Sequence, residues 1–218
     1  AISTPVDMSA MHRIDHGHFA GSEEAFRHWD EDGAVPGRCA KCHSADGLPF
    51  FIAEGVDITQ PISNGFTCET CHSDLQDYGV YEVESVTFPS GATVSLEDTE
   101  NNLCLSCHQG RASTPSVNAS IGDLGDDEVG ENLRFQNIHY FAAAVTLFGT
   151  EVQGAYEFAG QTYLGRNTHV EAYDSCNECH NTHMLTVEVE SCSDCHEGAD
   201  TLEALMDIRN PERLVDYD

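Results

Sequence analysis

Ten cysteines occupy a single pattern in this chain, and that pattern restricts its possible folds more than any other feature. They form five pairs: Cys39 and Cys42, Cys68 and Cys71, Cys104 and Cys107, Cys176 and Cys179, Cys192 and Cys195. Two residues separate the members of each pair, a histidine follows each pair at once, and no cysteine is left over. A structural zinc site of four thiolates takes two such pairs, so five pairs do not divide into zinc sites. Zinc also gives no reason for a histidine after every pair. A thioredoxin-like motif occurs once per redox site, not five times without a βαβ pattern. A secreted disulfide framework makes no demand for histidine after every second cysteine.

C-x-x-C-H is the attachment signature of c-type haem. Thiols three positions apart can reach the two vinyl groups on one porphyrin edge and form thioethers. The adjacent histidine then supplies an axial nitrogen to the iron. The sequence therefore predicts five haem c groups, with His43, His72, His108, His180 and His196 as proximal ligands. Twelve histidines are present, so seven remain: His12, His16, His18, His28, His139, His169 and His183. Five haems need five more nitrogens for bis-histidine ligation. The candidates for distal ligand are His28, His139, His169, His183 and one of the crowded N-terminal histidines, either His18 or His16. Met8, Met11, Met184 and Met206 are available as substitutes. Iron with two strong nitrogen ligands has no open position for substrate, so the histidine supply favours electron transfer over catalysis. No residue is assigned a catalytic role.

The chain has 218 residues and 40% hydrophobic composition, which sets it apart from disordered sequences. Formal charge is −29, from 38 acidic and nine basic residues, and Lys41 is the only lysine. Nucleic acid and anionic membranes would be repelled, since both require clustered lysine and arginine. No run approaches eighteen apolar residues, so no transmembrane helix is expected. Covalent haem attachment places the protein outside the cytoplasm, either periplasmic or extracellular, with a signal peptide expected to have been removed before Ala1.

One domain is expected over 1–218. Residues 1–38 form a histidine-rich arm, 39–108 carry haems one to three, 109–175 donate distal histidines, and 176–218 hold haems four and five and a C-terminal helix. Helices are predicted at 22–30, 136–148 and 200–208. The alternation of Val80 to Phe88, turned back into Thr93 to Leu96, predicts a hairpin. A second is expected over Val152 to Tyr163. The acidic run from Gly122 to Glu131 could offer oxygen ligands to calcium, but it lacks EF-hand spacing and reads as a solvated loop. Arg111, just after the third motif, is placed to pair with a haem propionate. Asn118-Ala-Ser120 matches the short glycosylation sequon.

The five attachment motifs and Cys179-His-Asn-Thr-His183 give the chain a resemblance to multihaem c-type cytochromes of anaerobic respiration and extracellular electron transfer. In that group a histidine placed like His183 commonly ligates a neighbouring haem. The resemblance implies a mostly irregular, loop-rich fold with short α-helices and one or two small β-hairpins, in which the haems form the core. More loosely, the small size, dense haems and N-terminal arm resemble subunits of extracellular cytochrome nanowires, where copies self-associate into a filament. Fifteen extended residues of the arm span at most roughly 50 Å, enough to reach a second copy or to fold back on their own haems. The expected partners are redox proteins or an extracellular acceptor. Two other functions stay open: a reductase of a small nitrogen compound or oxyanion, and a soluble periplasmic shuttle. Pentahaem nitrite reductases usually carry Cys-x-x-Cys-Lys at the active haem, and that motif is absent here.

Overall fold

A computed structural model describes residues 23–169, 175–184 and 186–208. Its elements are short. In chain order they are α1 (Glu23–Arg27), β1 (Ala34–Val35), α2 (Gly37–His43), α3 (Gly47–Glu54), β2 (Gln60–Pro61), α4 (Cys68–Cys71), β3 (Val86–Thr87) and β4 (Thr93–Val94). Next come α5 (Asn102–His108), α6 (Thr114–Ile121), α7 (Ala143–Phe148), β5 (His180–Asn181), β6 (Thr186–Val187) and α8 (Leu202–Ile208). The three sheets are antiparallel two-strand ribbons: β1 with β2, β3 with β4, and β5 with β6. The chain is thus loop-rich, with short helices and small ribbons, as its motif density implies.

Three of the five motifs lie on helical turns. Cys39 to His43 closes α2, Cys68 to Cys71 is α4 itself with His72 as its C-cap, and Cys104 to His108 closes α5. A helical turn puts positions i and i+3 on one face, so both thiols of a motif present together. In α4 the Thr67 N-cap and Thr70 form a reciprocal capping box that starts the motif's helix. The fifth motif runs through a 3₁₀ turn, Val189–Asp194, and the fourth leads into β5.

The apolar core is small. Val86, Phe88, Leu96, Leu105, Ala144, Val145, Phe148 and Val152 pack together where the β3–β4 ribbon meets α5 and α7. Leu105 lies between the two cysteines of the third motif, so this core holds that motif directly. Gly154 packs so close to Val145 that a Cβ there would clash with its methyls. Elsewhere large apolar side chains are exposed, including Phe135, Tyr140, Phe141, Phe158 and Leu164.

Several predicted elements differ. The helix expected over 136–148 begins only at Ala143, because His139 and Phe141 take positive φ, +95° and +52°. The first hairpin forms, with Val86 opposite Val94, but its ribbon is two residues long. The hairpin expected over 152–163 is absent, and that stretch is turns and irregular chain. Thr114 claims its backbone instead: the Thr114 N–H donates to the Gln153 carbonyl, and its hydroxyl to the Ala155 carbonyl. Asn118 of the sequon lies within α6. The 22–30 helix appears as α1, and the 200–208 helix as α8.

Candidate haem-ligating sites

Three of the five motif histidines are oriented by backbone carbonyls. His43 Nδ1 lies 2.7 Å from the Ala25 carbonyl oxygen, His72 Nδ1 2.8 Å from that of Tyr78, and His108 Nδ1 2.6 Å from that of Phe141. A carbonyl only accepts, so each Nδ1 carries the proton and each Nε2 keeps its lone pair. That is the arrangement an iron ligand needs, and the carbonyl also strengthens the ring as a donor.

Three of the candidate distal histidines face a motif histidine. His43 Nε2 and His139 Nε2 are 3.4 Å apart, with ring centroids at 5.7 Å. His72 and His183 stack at 6.1 Å, with their planes 4° from parallel. His169 and His196 lie 6.1 Å apart at 50°. Metal–imidazole bonds of about 2 Å, as at zinc, would set two opposed nitrogens roughly 4 Å apart, so the 3.4 Å nitrogen spacing of the first pair fits a shared ion after a small movement. His28 is placed otherwise. It is exposed, and its ring packs on Trp29 at 4.9 Å, while Trp29 in turn lies 5.4 Å from His43. His180 is also exposed, at the start of β5. His12, His16 and His18 lie outside the described residues, as do Met8 and Met11. Met184 and Met206 are exposed.

The electrostatics suit neutral ligands. Burial holds both His43 and His139 below the ordinary histidine pKa, and the nearby Arg111 guanidinium adds to this at each. His139 Nδ1 is buried without a hydrogen-bond partner among the described residues. Arg111 itself is exposed, at the edge of the His43–His139 pair. The thiols come together across motifs. Cys42 is held down chiefly by a hydrogen bond with Cys107, whose own thiol is pushed well up. Cys104 and Cys176 are related in the same way. Burial, reinforced by Cys104 and Cys68, pushes the Cys71 thiol up to about 11. The third motif therefore adjoins the first and the fourth. Cys39, Cys68, Cys179 and Cys192 are half-buried and Cys195 is exposed, and all ten thiols are free of disulfides.

Sequence reasoning missed the residues that place these groups. Asn101 is buried, and its Oδ1 accepts from the Cys176 and Asn177 amides at 2.9 and 3.1 Å, tying motif four to the start of α5. Asn102 accepts from Leu96 N–H and donates to the Val83 and Glu84 carbonyls, fixing the ribbon against the same helix. Thr70 donates to the Ala45 carbonyl and so joins motif two to the loop after motif one. Asn181 Oδ1 accepts from the His183 and Met184 amides. Each is an asparagine or threonine within or beside a motif, the residue types that bond locally to backbone, and that is the signal that could have marked them. Among the described residues, no three His, Cys, Asp or Glu side chains converge as a metal cluster.

Comparison with known proteins points the same way. The chain is 27% identical over 173 residues to the C-type polyheme cytochrome OmcB of Geobacter sulfurreducens, in two strains. The match covers 64% of this chain and 22% of that protein. The C-type polyheme cytochrome OmcC of the same organism is 29% identical over 170 residues, covering 62% of this chain and 21% of the relative. The chain spans about a fifth of the length of these relatives. This distant similarity supports a multihaem c-type cytochrome. No family model matches the chain. No solved structure matches it either.

Proposed function

We propose that the protein carries electrons through five covalently attached c-type haems, each held by two histidines, and that it works outside the cytoplasm. The observation that carries this reading is the facing of His43 by His139, with the Nδ1 proton of His43 committed to a carbonyl and both Nε2 atoms turned to one space. His72 with His183 and His196 with His169 repeat the facing. Haem iron would supply a one-electron couple at each site. The chain's own residues would tether through the five cysteine pairs and orient the imidazoles, and burial holds His43 and His139 below the ordinary histidine pKa.

Two proximal histidines, His108 and His180, remain to be matched with His28 and the arm histidines His16 and His18. The exposed aromatic side chains around His139 and the small core suit a fold whose apolar mass is completed by porphyrin faces. No described helix is long and apolar enough to cross a membrane. The relatives are named as polyheme cytochromes, which supports several haems on one chain. The acidic surface would steer a basic redox partner.

The finer reading, that copies join into a filament, draws on the exposure of His28 and His180, either of which could pair with a histidine of a second copy. Electron micrographs of concentrated protein check it; discrete particles alone would reject it. The central reading is tested by the denatured intact mass. It should exceed the chain mass by five haems, and by four when Cys68 and Cys71 are both changed to alanine. An unchanged mass in that variant, or fewer than five haems in the wild type, would overturn it.

A further inference from the structure

His139 faces His43, and the carbonyl that accepts the His108 Nδ1 proton belongs to Phe141, two residues further on. One short turn, 137–141, thus carries a ring for the first motif and the acceptor for the third. The turn is held along its length. Asn137 Oδ1 accepts the His139 amide at 2.9 Å, and the Ile138 carbonyl accepts the Arg111 amide at 2.9 Å. The Phe141 carbonyl also accepts the Ala143 amide at 2.8 Å, where α7 begins. His139 and Phe141 both sit at positive φ, so the turn keeps its shape only while these contacts hold it. Gly110, two residues after His108, supports it from beneath. A Cβ there would stand 2.9 Å from the Ile138 carbonyl oxygen and 3.2 Å from its side-chain methyl, and the residue's own φ is +76°. The helices of the two motifs also touch reciprocally. Cys42 Sγ is 4.0 Å from the Ser106 carbonyl, and Cys107 Sγ is 3.9 Å from that of Lys41.

From this geometry we infer that the 137–141 turn, seated on Gly110, is a positioning device shared by the first and third haem sites, so that axial ligation at the two changes together. The inference rests on the bis-histidine reading proposed above. Hydrogen bonding at the outer ring nitrogen tunes an imidazole's strength as a ligand, so moving the turn alters His108 through its acceptor and the His43 site through the His139 ring. The second site differs, since Asn181, outside the 137–141 turn, accepts from the amides of His183 and Met184, and the His183 ring stacks with His72.

The test is paramagnetic NMR of the ferric holoprotein, in which each haem gives its own shifted methyl resonances. His139→Met marks the set belonging to the first site. Gly110→Ala should move that set and one other. Asn137→Ala, which removes a single hydrogen bond and adds no clash, should move the same two sets by less. Asn181→Ala should move one different set. If Gly110→Ala does not accumulate with five haems, Asn137→Ala decides alone. Movement of a single set, or of none, in a variant that retains five haems overturns the inference. High-spin iron in the wild type would instead reject bis-histidine ligation, so the two failures are distinguishable.

Discussion

His43, His72 and His108 each give their Nδ1 proton to a main-chain carbonyl, which puts the ring lone pair on Nε2. The partners of two of these rings are the histidines that the sequence singled out by supply and position, His139 and His183 for His43 and His72. Exchanging His183 for alanine should convert one haem from low-spin to high-spin and leave the other four unchanged, as read by electron paramagnetic resonance. His139→Ala should do the same at a different haem. Asn101 acts through backbone rather than iron. Asn101→Ala leaves the Cys176 and Asn177 amides without their acceptor, at a cost of about 1–3 kcal/mol for each group that stays buried. Faster hydrogen exchange at those two amides would report the loss, and unchanged protection would contradict it.

At the scale of elements, the five Cys-x-x-Cys-His spacings are legible in the sequence, and the structure puts three of them on helical turns. The second hairpin and the long helix over 136–148 were misread. Their periodicity is real, but His139 and Phe141 are pulled to positive φ by long-range contacts with residues 108–111, which no local pattern encodes. Tyr78 shows the same device, with φ +55° and its carbonyl turned to His72. A non-glycine residue in the left-handed region costs roughly 1–2 kcal/mol, so such carbonyls are held in place by surrounding structure rather than by local preference. His28 was singled out from its helix alone, and the fold turns it to Trp29. The core around α5 and α7 is where packing counts most. Phe148 is fully buried, flanked by Phe88 edge-on and by Arg166 over its face. Phe148→Ala should destabilise the holoprotein by about 3–5 kcal/mol, measured by denaturant unfolding followed by circular dichroism. A loss under about 1 kcal/mol would show that porphyrin contacts, not this cluster, hold α5.

Across the whole molecule, the charge of −29 is the dominant property not used in building any single site. Arg27 pairs with Asp30 and Arg166 with Glu151, so few cations remain to offset the acids. Association with a basic electron donor should therefore be steered at long range. Raising ionic strength from about 0.01 M to 1 M shortens the screening length from about 30 Å to about 3 Å. The second-order rate of reduction by such a donor should fall at least roughly tenfold over that range, as followed by stopped-flow absorbance. A rate independent of salt would mean that the acidic surface does not guide the encounter.

Quantitative electron paramagnetic resonance of the fully oxidised protein, integrated per chain, tests the proposed wiring most directly. The proposed bis-histidine ligation at all five cysteine pairs, supported by the facing rings of His43 with His139, His72 with His183 and His196 with His169, predicts five low-spin ferric haems and no high-spin signal. A high-spin component amounting to one haem per chain would contradict it, because an iron would then have an open position and the chain a place to bind substrate.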